Sequence, residues 1–476
     1  MRRFKLPLAL TLFTVLTFVL PCSAGARGAS GTLSLADAVR IALARNLTMA
    51  DSRLAVAEKE YQRREAFSDF FPLGIAQYNA TFDRYINQYP FSYFEMFGMV
   101  NQGIHDSRYS GLQEAVRFQN IFGKNTASPG GAYPYRLDLY RLFTGSVTLT
   151  QPIFNGGKLL NDYKYAKLGV DYSAIQYDVN RQDLVLSVNR AYYQMGLAQK
   201  LLEVANESIK ALEGLRGQTR KFYQVGLVPK VDLLSTEGQL AQARIQKTQS
   251  ISDIAQNQAL LNYLLRNPQE TALKIDDEMS YQPNQYKLPD AYAVAAANRV
   301  EIRQAHISVE QALALVKSAK ADLLPNADVA LTGIRYNDDW NVVDPEGTND
   351  YQIQGLCNWT FDMFRRRSTV QQRRSTGARS ETARRLLVEK IMNEVKQAYE
   401  DMKRSESDIG DNTKAVAFRR ESFRINRLDY EQQVATYVEV LDAQRQLSLA
   451  EGSYYVSIAA FKVNQATLER KMGILK

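Results

Sequence analysis

From Gly157 to Val225 no proline interrupts the chain, and Ala191, Met195, Ala198, Leu202, Ala205, Ile209 and Leu212 recur at alternating spacings of four and three. That period predicts a coiled-coil seam along one very long helix. The same phase, moved on by 207 residues, gives Ala398, Met402, Ser405, Ile409, Asn412 and Val416. A helix of about 70 residues is roughly 100 Å long, several times the width of an ordinary domain. Its seam is rich in small and polar residues, which suits close helix pairing in a larger assembly better than an isolated dimer core. Bends at Gly226 to Pro229 and around Gln433 to Tyr437 are expected to return the chain along a second helix.

Ahead of each long helix the period changes to two. Tyr351, Ile353, Cys357, Trp359 and Phe361 share one parity with Gly355, while Gln352, Gln354, Asn358 and Thr360 occupy the other, and Leu356 is the exception. This is the alternation of a strand with one apolar face. Val147, Leu149 and Ile153 against Ser146, Thr148 and Thr150 repeat it more weakly, and Ala327, Val329 and Leu331 mark a further strand. Helical segments of about 35–71 and 289–324 come before these strands, each stopped by a proline that pushes its predecessor out of the helical region.

These elements occur twice. Leu35-Ala36-Asp37-Ala38 aligns with Leu288-Pro289-Asp290-Ala291, and Phe71-Pro72 with Leu324-Pro325, at an offset of 253. Phe154 then aligns with Phe361, Ala191-Tyr192 with Ala398-Tyr399, Val231 with Val438, and Gln239-Leu240 with Gln446-Leu447, at an offset of 207. The single change of offset gives the first half 46 extra residues, an aromatic, glycine-containing insertion within 78–143. The expected organisation is a first repeat over 27–284 and a second over 285–476, with Asn267 to Lys287 as the linker.

Composition narrows the class. Hydrophobic residues at 45% and charged residues at 23% describe a chain that folds. The 59 basic and 51 acidic residues leave a net charge of +8. Arg2, Arg3 and Lys5, the apolar run from Leu6 to Leu20 and Ala24-Gly25-Ala26 predict a secretory signal peptide over 1–26. Pro21 before Cys22 makes acylation of that cysteine the minority alternative, and Cys357 is then the one cysteine of the mature chain. Two histidines, His105 and His306, are too sparse for a histidine-rich metal site. No nucleophile and base, paired-carboxylate or metal constellation stands out, so neither an enzyme nor a cofactor is expected. Apart from the signal, no stretch is apolar enough for a membrane helix, so entry into a membrane has to be by strands. Two strands per half, four per chain, cannot close a barrel alone, since small barrels need about eight. Three chains supply about twelve strands and an open lumen, although strand count alone also admits a dimer.

Gln151-Pro152-Ile153-Phe154-Asn155-Gly156-Gly157, the duplicated Leu-x-Asp-Ala openings and Val438-x-Val440-Leu441-Asp442-Ala443-Gln444 resemble the TolC family of outer-membrane efflux proteins over essentially the whole mature chain. The resemblance implies a mainly α fold with a β-barrel part: a homotrimeric, 12-stranded barrel in the cell outer membrane joined to a long coiled-coil α-helical barrel in the periplasm. It also implies a passive exit duct for a tripartite efflux pump or a type I secretion system, docked to a periplasmic adaptor and an inner-membrane transporter. The alternative from another class is a periplasmic coiled-coil adaptor without a channel, which leaves the duplicated amphipathic strands unexplained. The transported substrate is not legible, because the partner transporter selects it.

By the same resemblance, Glu439 and Asp442 ring the periplasmic aperture, where six carboxylates of a trimer favour cations. The plainer reading is that they start a helix, against whose dipole negative charge is favourable. Tyr430 and Asp232 match two members of the family's latch, but Ala435 stands where its arginine belongs, which leaves at most a hydrogen bond between Tyr430 and Asp232. Gly226 and Pro229 shape the first hairpin turn. Pro152, Asn155, Gly156 and Gly157 make the strand-to-helix turn; Lys158 follows them, but the P-loop spacing is absent. Arg365-Arg366-Arg367, Arg373-Arg374 and Arg384-Arg385 fall after the fourth strand, beside anionic headgroups or the tunnel wall or simply on a solvated helix face; a secretory signal argues against nucleic acid. Tyr85, Tyr89, Phe91, Tyr93, Phe94, Phe97, Tyr133 and Tyr135 of the insertion are suited either to an interface belt or to the external mouth.

Overall fold

In the computed structural model the described residues are 32–85, 138–276, 279–337, 347–362, 364–432 and 434–475. Their order is α1 (Leu35–Arg45), α2 (Leu47–Ser68), β1 (Leu73–Tyr85), β2 (Asp138–Phe154), α3 (Lys158–Gln224) and α4 (Lys230–Leu265). There follow α5 (Leu288–Asn298), α6 (Val300–Ala321), β3 (Asn326–Asn337), β4 (Thr348–Asn358), α7 (Arg365–Glu431) and α8 (Tyr437–Met472). The duplication is visible in the lengths: α1 and α5 have 11 residues, α2 and α6 22, α3 and α7 67, and α4 and α8 36. The signal segment, Cys22 and the insertion aromatics from Tyr89 to Tyr135 lie outside the described residues, as does the side chain of Tyr85.

The described residues fall into two compact units. One draws on Met1–Arg53, Gln176–Ile302 and Leu387–Lys476, the other on Leu54–Ile175 and Arg303–Leu386. The first is helical, and its core contains the seam: Ala191, Met195, Ala398, Met402 and Ile409 are buried with Tyr192, Leu261, Ile458 and Phe461. The residues between the repeats are not a loose linker. Leu33 pairs in parallel with Ile275, donating its N–H to the Lys274 carbonyl at 2.6 Å, and Tyr192 donates its hydroxyl to the Leu33 carbonyl at 3.0 Å. Ile275 and Met279 are buried beside them. The second unit holds one antiparallel sheet in the order β1-β2-β3-β4. β4 ends at Asn358, three residues before the alternation in sequence does, because Asn358 lies opposite Asn326, where β3 begins; beyond it the Trp359 indole donates to the Leu323 carbonyl at 3.2 Å.

Equivalent positions solve the same problem with different residues. At the α1–α2 junction the buried Asn46 donates to the Leu264 carbonyl at 3.0 Å, closing an orphaned C-terminal carbonyl of α4. The counterpart at the α5–α6 junction is Arg299, which donates to the Lys471 carbonyl of α8 at 3.1 Å. Its charge recruits a network absent from the first repeat: Arg299 pairs with Glu301 at 2.9 Å and Glu394 at 3.2 Å, and Arg470 with Glu301 at 2.8 Å and Asp183 at 2.7 Å. Both arginines are buried and each has two carboxylate partners, so the loss of any one carboxylate leaves each arginine still paired.

The two helix ends also diverge. α4 and α8 both finish in a left-handed residue with the paired hydrogen bonds of a Schellman cap, but that residue is Arg266 (φ 61°) in the first and Gly473 (φ 76°) in the second. A Cβ on Gly473 would stand 2.7 Å from the Asn298 carbonyl oxygen, whereas Arg266 is exposed. Arg266→Gly is therefore expected to stabilise the protein by about 0.5–1 kcal/mol, and Gly473→Ala to destabilise it by about 1–3 kcal/mol. Thermal unfolding of the two variants checks this, and equal shifts would contradict it.

Candidate functional site

The ladder register fixes which side chains share a face. Val147 pairs with Gly333 and Ala76, Leu149 with Leu331 and Gly74, and Leu331 and Gly333 with Ile353 and Tyr351. One face is thus apolar across all four strands. The opposite face carries Gln77, Asn79, Ser146, Thr148, Thr332, Gln352 and Gln354, and Thr148 and Thr332 hydrogen-bond across it at 3.1 Å. The apolar face is not covered within the chain: Val147 is 55% exposed, Tyr351 78% and Ile353 77%. A single-residue register slip would exchange the two faces, so the pairing is strongly specified only if they meet different media. Among the described residues β1 and β4 are the sheet's edges, each paired on one side only.

Where β2 passes into α3 the structure supplies the expected turn. The β2–β3 register shifts between Pro152 and Phe154, Gly156 and Gly157 have φ of 62° and 83°, and the Asn155 carbonyl accepts from the Lys158 N–H at 3.0 Å. A Cβ on Gly156 would lie 2.9 Å from the Ala321 carbonyl oxygen, so both conformation and space call for glycine. Lys158 is committed to Asp322 at 2.8 Å.

At the other end of the long helices, α3, α4, α7 and α8 meet. Gly226 (φ 77°) sits in a Schellman turn: the Leu227 N–H reaches the Phe222 carbonyl at 2.9 Å and the Gly226 N–H reaches Tyr223 at 3.1 Å. Pro229 then caps α4. The first of these bonds recurs in the second hairpin as Val434 to Asp429 at 2.8 Å. Between the hairpins Tyr430 and Tyr437 are buried, with ring centroids 5.6 Å apart, and Phe222 stands 5.7 Å from Tyr430.

The tyrosine hydroxyls go to threonines. Thr219 donates to the Leu215 carbonyl at 3.0 Å and Thr236 to the Asp232 carbonyl at 2.9 Å, so each has only acceptor capacity left. Tyr430 fills that capacity on Thr219 at 3.4 Å, and Tyr437 on Thr236. The latch partner expected for Tyr430 was Asp232. Among the described residues the Asp232 carboxylate makes no hydrogen bond to it, because Thr219 on the facing helix is already in reach. Burial raises the pKa of both tyrosines, that of Tyr437 to about 12, with the Asp232 charge adding to the effect. Thr219 and Thr236 carried no signal in the sequence, since a threonine on a helix is usually bonded only to its own backbone.

Glu439 and Asp442 lie on the first turns of α8. The Glu439 carboxylate accepts from the Thr436 N–H at 3.0 Å while Thr436 accepts from the Glu439 N–H at 3.4 Å, a complete capping box. Asp442 is exposed and paired with Arg445 at 2.6 Å. Each carboxylate thus has a local role, and neither role buries its charge.

The hydroxyl pairs require both tyrosines to be protonated. With the folded pKa of Tyr437 raised to about 12, its contribution is complete below the ordinary tyrosine value near 10 and is lost as pH rises through 12. Tyr437→Phe leaves the Thr236 oxygen without a donor, which costs about 1 kcal/mol or a factor of about five in local opening. Amide exchange around residues 219–236 and 430–441 is expected to speed up by that factor at any pH from 6 to 9. Unchanged exchange would show that the hydroxyls carry no weight.

Among the described residues no helix is long and apolar enough to cross a membrane, and no group of three or more His, Cys, Asp or Glu is placed to hold a metal ion. Nodulation protein T of Rhizobium leguminosarum bv. viciae is 22% identical over 324 residues, which are 66% of this chain and 65% of that relative's length. The fold is similar to that of CusC (TM-score 0.73, 16% identity, 96% of each chain) and of the outer membrane protein VceC from Vibrio cholerae (TM-score 0.72, 12% identity, 92% of this chain and 96% of that one). A family model described as "Outer membrane efflux protein" matches residues 135–265 and 291–473, well over half of the chain and one stretch in each repeat. The duplicated strand-and-helix unit is the architecture of that family, and the chain belongs to it: it is an outer membrane efflux protein of the TolC type.

Proposed function

We propose that three copies of this chain close a twelve-stranded barrel in the cell outer membrane, continued by a helical tunnel in the periplasm. The observation that carries this is the sheet: among the described residues an uncovered apolar face crosses all four strands, a polar face lies behind it, and each edge strand is paired on one side only. In hydrocarbon such edges leave backbone groups unpaired at several kcal/mol each, so the sheet closes with other copies. The polar face then lines the lumen. CusC, whose fold is similar, undergoes conformational changes accompanying folding and transmembrane channel formation, which supports the same reading.

The duct is passive. It serves as the exit of a tripartite efflux pump or type I secretion system, docking to a periplasmic adaptor and an inner-membrane transporter that supplies energy and selects the cargo. The helical hairpins form the periplasmic aperture. Glu439 and Asp442 bring negative charge to it, and Tyr430, beside the charge of Asp232, belongs to the contact that holds the hairpins together.

Purified protein in planar bilayers is expected to give cation-selective channels, with conductance only from SDS-sensitive trimers. Glu439→Gln keeps the capping box, since glutamine can fill that position, and removes the charge. Combined with Asp442→Asn it is expected to lower cation selectivity at a cost of no more than about 1–2 kcal/mol in stability. Unchanged selectivity in the double variant would remove the aperture role, and a wild-type protein that never conducts would overturn the channel itself.

A further inference from the structure

We propose that the start of α7, with the aromatic residues just ahead of it, is a docking surface for the headgroups of anionic phospholipid. This rests on reading the sheet as the wall of a membrane barrel. From Arg365 to Leu386 there are eight arginines and a single acidic residue, Glu381, so this short stretch carries nearly all of the chain's excess of +8. The duplicated stretch of α3, residues 158–179, holds three lysines and three aspartates and is neutral. The long helix therefore does not need the charge for its own folding. Arg365, Arg366 and Arg367 stand at the positive end of the helix dipole with no acidic residue in the first turn, and the one carboxylate at that end, Asp362, accepts from the Arg366 N–H at 2.9 Å and offsets only part of their charge.

The carboxylates nearby are already taken. Asp362 pairs with Arg366 at 3.2 Å, Asp322 with Lys158 at 2.8 Å, and Glu381 with Arg384 at 2.8 Å and Arg385 at 3.1 Å. Among the described residues Arg365, Arg367, Arg373 and Arg374 have no ion-pair partner, and all four are exposed. Directly before them Trp359, Phe361 and Phe364 are 55%, 76% and 75% exposed. An apolar strand face, then exposed aromatics, then arginines is the order of media met on leaving a bilayer: hydrocarbon, interface, headgroups.

Distance selects which arginines take part. The headgroup layer is about 5–8 Å deep on each side of the hydrocarbon. Arg365 and Arg367 lie on the first turn. Arg373 and Arg374 start about 12 Å along the helix, but helical side chains tilt toward the N-terminus and arginine is long enough to reach back. Arg384 and Arg385 lie too far along and are neutralised by Glu381. The guanidinium fork matches phosphate oxygens bidentately, which makes phosphate-bearing headgroups the fitting anion.

The test uses the full chain, purified in detergent and reconstituted into vesicles of phosphatidylcholine with and without phosphatidylglycerol. Phosphatidylglycerol retained by the protein is counted by native mass spectrometry, and conductance and ion selectivity are recorded in parallel. Wild type is expected to retain phosphatidylglycerol over phosphatidylcholine. The variant Arg365→Gln, Arg367→Gln, Arg373→Gln, Arg374→Gln is expected to lose that preference by about tenfold or more while still conducting. Arg384→Gln with Arg385→Gln is expected to behave as wild type. Equal retention in the fourfold variant and wild type overturns the lipid site. A fourfold variant with altered ion selectivity and unaltered retention overturns it too, and assigns the arginines to the tunnel wall. A wild type that does not conduct in either vesicle overturns the channel reading itself, a failure distinct from the other two.

Discussion

Backbone hydrogen bonding at the borders of a sheet is the constraint on which this molecule turns. Among the described residues β1 and β4 each pair on one side only, and in the proposed barrel the uncovered apolar face puts hydrocarbon beside their outer N–H and C=O groups. Water satisfies such groups without cost, while lipid does not. In the proposed barrel the alternation of side chains has a single consistent use, with Val147, Leu149, Leu331 and Ile353 on the face toward lipid and Ser146, Thr148, Thr332 and Gln352 on the face toward the lumen. The Asn155-Gly156-Gly157 turn lets each chain leave that wall and enter the helices, and it does so where a side chain on Gly156 would strike the backbone of α6.

Duplication gives the chain an internal control. Where both copies need the same carbonyl closed, an asparagine does it once and an arginine does it once, and the arginine brings Glu301, Glu394, Asp183 and Arg470 with it. Where both need a left-handed cap, glycine appears only in the copy in which another backbone crowds the position. The starts of α3 and α7 differ in charge and in apolar content, the first carrying tyrosines and leucines where the second carries arginines and small polar residues. Differences of this kind separate what the architecture demands from what one copy has been given to do.

Much of the fold was legible because its signals are long. A seam repeated at a fixed offset, prolines that stop helices and a period of two predict the long helices, β2, β3 and β4. The single helical segments expected over about 35–71 and 289–324 are instead each two helices, broken before Leu47 and Val300, and β1 follows only from the count of two strands per half. The local endings were less legible. Side chains at Trp359 and Phe361 continue the alternation of β4, but Asn358 lies opposite Asn326, the first residue of β3 after Pro325, so the ladder ends there. The bridge that ties the linker to Leu33 was not legible, because a single parallel bridge has no period. At the hairpins, Tyr430 was visible through resemblance and the missing arginine at Ala435 pointed to a weaker latch. The replacement, a pair of tyrosine–threonine contacts across four helices, depends on spatial neighbours that no spacing announces. Glu439 and Asp442 show the opposite limit: a helix start and an aperture ask for the same residues, and only the capping box separates the two demands on Glu439.

The closure of the sheet between copies is tested most directly by cross-linking its two edges. Gln77→Cys in β1 and Gln352→Cys in β4, introduced together after Cys357→Ser, place one thiol on each border of the same face, and neighbouring positions two residues along cover the inter-chain register. Oxidation of the protein in outer membranes is expected to give covalent dimers and trimers for at least one such pair. Edges that link only within a single chain, or remain unlinked at every register while the protein is folded, would contradict the account.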